Sequence, residues 1–170
     1  EVSVMPTVEF NGQRVSSTMV RDALVVGNLE QARELLGKPY SISGRVVHGD
    51  KTGRKIGYPT ANIRIKHPRP ALGGIFAVEI AGISEHPLKG VASLGVRPTV
   101  KDNGVPLLEV YVFDFDSEIY GQHVQVNFLH KLRDEEKYPD VETLKAQIDR
   151  DVENAERYFN RRDAEAQRIA

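Results

Sequence analysis

Cysteine and tryptophan are both absent from the 170 residues. Without cysteine there are no disulfides, no cysteine-based zinc fingers and no thiol catalysis. That composition fits a reducing, cytoplasmic setting. No run of about 18 apolar residues occurs, so no membrane span is expected. Charge of one sign is also lacking: 23 basic and 24 acidic side chains leave a net charge of -1. A protein held on nucleic acid mainly through phosphates usually shows a basic excess. Residues Glu1 to Phe10 have neither the charged start nor the apolar run of a signal peptide. The chain opens on Glu, which suggests a piece of a longer protein. What is present suffices for a soluble core, with 40% hydrophobic and 28% charged residues.

Residues 16 to 37, "SSTMVRDALVVGNLEQARELLG", read as two short helices. Ser17 or Thr18 would cap the first, with Met19, Ala23 and Val26 at helical spacing. Gly27 breaks it, Asn28 caps the second, and Gly37 with Pro39 stops that one. From Tyr40 the pattern changes. "YSISGRVVHG", "TANIRIK", "GIFAVEIAGI", "KGVASLGV", "LLEVYVFDF" and "HVQVNFLHKL" are six short runs rich in β-branched and aromatic residues. Their spacing predicts an antiparallel sandwich or small barrel, with "DNG" at 102 to 104 as a turn. After Pro139 and the capping Asp140, the residues Val141, Leu144, Ile148, Val152, Ala155 and Phe159 mark one face of a helix. "DRDVENAER" belongs to its solvated side, and "NRRDAEAQRIA" to a frayed or poorly fixed extension.

The stretch "HGDKTGRKIGYPTANIRI", 48 to 65, opens as a basic glycine-spaced loop and closes as a strand. Gly49, Gly53 and Gly57 let backbone N–H groups approach an anion, and Lys51, Arg54 and Lys55 add positive charge. It is not a Walker A loop, whose spacing is absent. A polyphosphate site and a plain exposed basic loop both fit. Pro59 fixes the backbone, and Thr60 and Asn62, two apart, share one strand face. Two neutral oxygens beside a phosphate loop suit magnesium, which prefers oxygen ligands and keeps waters and phosphate oxygens around it. A merely polar strand start is the alternative.

Glu109 lies in "PLLEVYVFDFD" on a face with Tyr111, Phe113 and Phe115, opposite Leu108, Val110, Val112 and Asp114. Both faces are largely apolar, so the strand is expected to be covered on both. A carboxylate there must be paired, hydrogen-bonded or exposed at a barrel mouth. It is either a general base or a strand-end group reaching water. The five histidines form no H-E-x-x-H arrangement and read as surface residues, with no metal assigned. "RIKHPRP" at 64 to 70 reads as a solvated basic loop. In "KLRDEEKYPD", Arg133 and Tyr138 could hold a planar or anionic ligand, or Tyr138 could staple the helix start.

Taken together, "SGRVVHGDKTGRKIGYPTANI", "GIFAVEI", "SLGVRPT", "LEVYVFDFDSEIYG", "VNFLHKLRDEEKY" and the terminal helix resemble riboflavin kinase. More closely, they resemble the C-terminal module of bacterial bifunctional riboflavin kinase/FAD synthetase. The likeness runs from about residue 39 to 160, and G-x-P-T-A-N is specific to the family. "SSTMVR", with Ser16, Ser17, Thr18 and Arg21, resembles a nucleotide-binding loop at the end of the same enzyme's adenylyltransferase module. The H-x-G-H motif of that module does not occur. Residues 1–38 are therefore expected to be its remnant and 39–170 the kinase domain, without FAD synthesis.

The resemblance implies a mainly β fold: a six-stranded antiparallel Greek-key barrel with a long C-terminal helix and two short N-terminal helices. It implies transfer of the ATP γ-phosphoryl group to riboflavin with Mg²⁺, giving FMN and ADP. Thr60 and Asn62 would bind Mg²⁺ and the nucleotide phosphates. Gly49, Lys55 and, less directly, Tyr120 would contact ATP. Glu109 would be the base, and Arg133, Glu136 and Tyr138 would lie on the flavin side. Two features depart from relatives. The glycine loop is slightly shorter, so Arg54 and Lys55 compete for one role, and Glu136 stands where Lys is frequent. The expected partners are small-molecule substrates and the adjoining adenylyltransferase module, with neither nucleic acid nor membrane. A non-catalytic flavin-binding barrel and an OB-like nucleic-acid module are the rival readings; neutral charge and the lack of Trp weigh against the latter.

Overall fold

The computed structural model describes residues 6–67, 69–96 and 106–170. The expected DNG turn, the end of "SLGVRPT" and Pro68 of the basic loop lie outside the described residues. A small hairpin comes first, β1 (Glu9–Phe10) with β2 (Gln13–Arg14). Asn11 and Gly12 turn it, both at positive φ (49° and 75°). That is the two-residue turn an Asn-Gly pair favours, a signal the strand reading passed over.

Helices α1 (Ser17–Val25) and α2 (Leu29–Leu36) follow. Ser16, one residue before the expected cap, accepts from the Met19 N–H. Asn28 caps α2 as expected, and Gly37 ends it in the left-handed region. The buried residues of α1 are Ala23 and Leu24, with Val20 packed beside them, whereas Val26 is 71% exposed. The apolar stripe thus lies to one side of the predicted one, because the barrel fixes how the helix rolls. Ala23, Leu24, Leu29 and Ala32 join the main core, so this segment packs on the barrel.

The six runs become strands β3 (Tyr40–Val47), β4 (Thr60–Arg64), β5 (Gly74–Ala81), β6 (Leu88–Val96), β7 (Pro106–Val112) and β8 (His123–Arg133). They close an antiparallel barrel in the order β3-β4-β7-β6-β5-β8. Alternation decides what faces inward. Leu108 lies opposite Ile63 and Leu94, and Val110 opposite Ala61 and Ala92, all of them buried or packed on the core. Phe76 and Phe128 meet edge to face inside, centroids 5.3 Å apart. The interior is filled by side chains, so anything bound must sit elsewhere.

Helix α3 (Thr52–Lys55) is a single turn inside the glycine loop, and α4 (Val141–Ile169) closes the fold. Asp140 caps α4, accepting from the Thr143 N–H. Ala155 and Phe159 pack with Ala77, Val91, Phe113, Leu129 and Leu132 in a second cluster outside the barrel. Two expectations about α4 need correction. Asp151 of "DRDVENAER" is buried, at 3% exposure, rather than solvated. The extension is also held to the sheet, at least to Asp163, by Arg162–Glu79 and Lys89–Asp163 contacts of 2.6 Å each. Among the described residues no helix is long and apolar enough to cross a membrane.

Candidate active site

Opposed residues of neighbouring antiparallel strands project to the same face. Two rungs therefore set the outward chemistry of the wall β6–β7–β4. One is Val91, Tyr111 and Thr60; the next is Ser93, Glu109 and Asn62. The sequence periodicity placed Thr60 and Asn62 together, but only the sheet order brings Glu109 directly opposite Asn62. Glu109 is half-buried in mid-strand, not at a strand end. Its strand is covered on both sides as expected, fully by the core and partly by α4. Asp114 does not continue the inner face. The strand stops at Val112, and Asp114 is exposed at a positive φ of 52°.

Of the two rungs, Thr60, Val91, Tyr111, Ser93 and Glu109 border a cleft of about 310 Å³ between the barrel wall and the first half of α4, while Asn62 lies outside its lining. That is near the lower end of the ~300–1,000 Å³ usual for ligand sites. Glu109, Thr60, Ser93 and Tyr111 form its floor, and Leu144, Ile148 and Val152 its helical wall. Tyr58 and Tyr138 approach from the two loops. The cleft lies on the outer wall, above a barrel interior filled by side chains.

The glycine loop lies over this wall. Asn62 is 8% exposed, and a Cβ on Gly49 would fall 2.2 Å from its Nδ2. Glycine is thus required at 49 by close approach rather than by φ. A Cβ on Gly53 would likewise meet the Tyr58 carbonyl oxygen at 2.2 Å. Lys51 takes φ 55° and Gly57 φ 89°, which folds the loop back toward Pro59. Arg54 lines a smaller recess of about 100 Å³ with Thr60 and Tyr120, while Lys55 is exposed. The Tyr120 ring stacks on His48, centroids 3.8 Å apart. Thr60 borders both cavities.

On the other side, Arg133 ends β8. Its Nε and Nη2 donate to the two Asp151 oxygens at 2.8 and 2.7 Å. Burial alone would lower the Arg133 pKa, but the bond and charge of Asp151 outweigh it, and the net shift is upward. The guanidinium lies 5.7 Å from the Tyr138 ring centre, and the Tyr138 hydroxyl donates to Glu136 Oε2 at 3.2 Å. Glu136 is exposed and Tyr138 half-buried at the cleft edge. Ser93 donates to Glu135 at 3.2 Å, fastening the loop to β6.

Tyr58, Asp149 and Asp151 escaped the sequence reading. Asp151 carries no local signal, since it reads with the other charges of "DRDVENAER". Tyr58 was visible only as the variable letter of G-x-P-T-A-N. Its hydroxyl donates to Asp149 Oδ1, clasping the glycine loop to α4. That bond, then burial and the Asp149 charge, push the phenol up to about 12. A pKa raised in the folded state favours the neutral phenol. Its stabilisation is complete below the ordinary value of 10.0 and is lost as pH climbs through about 12. Tyr58→Phe is expected to cost about 1 kcal/mol at neutral pH in urea unfolding. The deficit should shrink as pH passes through that alkaline window, and the last tyrosine to ionise should vanish from an ultraviolet titration. An unchanged titration would show that the clasp does not form in solution.

Among the described residues no group of three or more His, Cys, Asp or Glu could hold a metal ion. The donors at hand are the Thr60 hydroxyl and the Asn62 amide oxygen on one face. This fits a cation that retains waters and takes phosphate oxygens from a nucleotide, and it does not fit an all-protein cage.

A small filled barrel with a polar-floored, tyrosine-edged cleft on its outer wall defines the class of small barrels whose candidate ligand site lies outside the lumen. Residues 36–159 match the flavokinase model, described as riboflavin kinase. The chain belongs to the riboflavin kinase family. It is 50% identical over 152 residues to the bifunctional riboflavin kinase/FMN adenylyltransferase of Haemophilus influenzae, covering 89% of this chain and 49% of that protein. Identity to the Escherichia coli protein of the same name is 48% over 149 residues, covering 87% and 47%. The chain thus spans about half the length of the curated relatives it matches. A crystal structure named as a macrolide-efflux protein from Streptococcus pneumoniae matches with a TM-score of 0.78 at 37% identity, covering 89% of this chain and 50% of that one. Riboflavin kinase from Trypanosoma brucei shares the fold, with a TM-score of 0.53 at 23% identity over 72% of this chain and 80% of that one.

Proposed function

We propose that this chain transfers the γ-phosphoryl group of ATP to the ribityl 5′-hydroxyl of riboflavin, with the cleft under α4 as the acceptor site and the glycine loop as the phosphate site. The observation that carries this is the rung Asn62–Glu109–Ser93 beside Thr60, the residue that lines both cavities. A metal–phosphate site and a carboxylate for the acceptor must adjoin in such a reaction. Here a two-residue alternation on β4 and its pairing with β7 bring the groups together.

In this reading, Thr60 and Asn62 turn their oxygens toward Mg²⁺ and the phosphates, with the Gly49 backbone close against Asn62. Magnesium, when bound, offsets charge on the β- and γ-phosphate oxygens. Lys55 or Arg54 adds positive charge from the loop, and Tyr120 with His48 offers an aromatic surface on the nucleotide side. Tyr58, Tyr111 and Tyr138 provide ring surface for the flat flavin. Arg133 and Glu136 shape the flap side. Glu109 takes the proton from the 5′-hydroxyl as its oxygen bonds to the γ-phosphorus. The bond from that phosphorus to the β,γ-bridging oxygen breaks, and ADP leaves with the electron pair. Such transfer depends mainly on positioning and charge stabilisation, which two loops clasped to one helix can supply. For the whole protein, a cytoplasmic enzyme with an adjoining adenylyltransferase module, residues 1–38 are read as the end of that module.

The test is a product assay. The chain is incubated with riboflavin, ATP and MgCl₂, and in parallel with FMN, ATP and MgCl₂, and the flavins are separated by chromatography. FMN in the first tube and no FAD in the second is expected. Riboflavin quenching without any FMN would replace this reading with a flavin-binding barrel. FAD in the second tube would overturn the account of residues 1–38.

A further inference from the structure

Asp151 is the only charged side chain that is buried among the described residues, and it borders the cleft. It stands beside the apolar stripe of α4, next to Val152, and is more deeply buried than that valine. A buried carboxylate needs a partner, and Asp151 has two. Arg133 grips both its oxygens, and Gln147 Nε2 donates to Oδ1 at 3.0 Å. Buried ion pairs seldom improve stability over apolar side chains of similar volume. Stability alone therefore does not explain this one. What a bidentate fork supplies, and an apolar contact does not, is direction.

That direction is passed on. Arg133 is the last residue of β8, and beyond it the chain leaves the sheet. Its Nη1 donates to the Asp134 carbonyl oxygen at 2.9 Å, and its guanidinium faces the Tyr138 ring. Tyr138 in turn holds Glu136. Lys131 with Asp134 and Ser93 with Glu135 hold the start and middle of the segment 134–138, and the Arg133 guanidinium adds the contact that reaches Tyr138 at its end.

We infer that Asp151, steadied by Gln147, is a positioning residue for flavin recognition: it aims Arg133, and through Arg133 it sets Tyr138, at the end of residues 134–138, as one wall of the acceptor cleft. Asp151 takes no part in the phosphoryl transfer itself. The inference rests on the riboflavin kinase reading, and wild-type binding and turnover of riboflavin test that reading separately.

The experiment titrates riboflavin by fluorescence quenching and measures steady-state FMN formation for the wild type, Asp151→Asn, and the paired variant Arg133→Met with Asp151→Leu. Asp151→Asn is expected to raise the riboflavin Kd and KM by about tenfold or more, with the KM for Mg·ATP within about twofold of wild type. The paired variant should keep the wild-type Tm to within a few degrees, because apolar replacement suits that site, yet still bind riboflavin poorly. Riboflavin affinity restored in the paired variant would reduce the ion pair to packing and overturn the inference. So would wild-type riboflavin affinity in Asp151→Asn, or equal losses for both substrates. If Asp151→Asn does not fold, Gln147→Leu decides: a raised riboflavin Kd with the KM for Mg·ATP unchanged supports the role, while wild-type riboflavin affinity overturns it.

Discussion

Glu109→Ala is expected to lower kcat for FMN formation by about 10²–10⁴-fold, the usual contribution of a general base. At about 1.4 kcal/mol per decade, this is a loss of roughly 3–6 kcal/mol of transition-state stabilisation. ATP should still bind, because the proposed phosphate contacts come from β4 and the glycine loop, not from β7. Glu109→Gln is the sharper variant. It keeps the side-chain volume on the rung between Asn62 and Ser93 but cannot accept the proton in the same way. Steady-state rates together with titration of a non-hydrolysable ATP analogue would measure both effects. Turnover within a few-fold of wild type would remove Glu109 from the chemistry.

Asn62→Ala is expected to act on the other substrate. The magnesium concentration giving half-maximal rate should rise by about tenfold or more, the scale on which loss of a metal-site group is felt. Riboflavin binding, followed by fluorescence, should barely change. The contrast matters because Asn62 is buried against Gly49, so its removal also leaves a gap under the loop. A general loosening would lower Tm and weaken both substrates together. A selective loss of magnesium response would not follow from that. An unaltered magnesium dependence would exclude Asn62 from the metal–nucleotide site.

The local pattern carried much of the fold. Six β-rich runs became six strands because alternation and turn residues are properties of short windows. The caps Asn28 and Asp140 and the left-handed stop at Gly37 likewise depend on neighbours a few residues away. The G-x-P-T-A-N step places Thr60 and Asn62 on one face through strand alternation alone. The roll of α1 was not legible, nor was the burial of Asp151. Each depends on a partner far along the chain: the barrel surface for α1 and Arg133 for Asp151.

Periodicity and backbone preference sufficed for the six barrel strands, the caps Asn28 and Asp140, and the shared face of Thr60 and Asn62. Tertiary structure decided that β4 pairs with β7, which sets Glu109 opposite Asn62, and that α4 covers the wall to form the cleft. It also decided that α4 clasps both loops, through Asp149 to Tyr58 and through Asp151 to Arg133. The reason is physical. Strand order and helix docking are set by which apolar faces close one core, a condition on the whole chain that no local window contains.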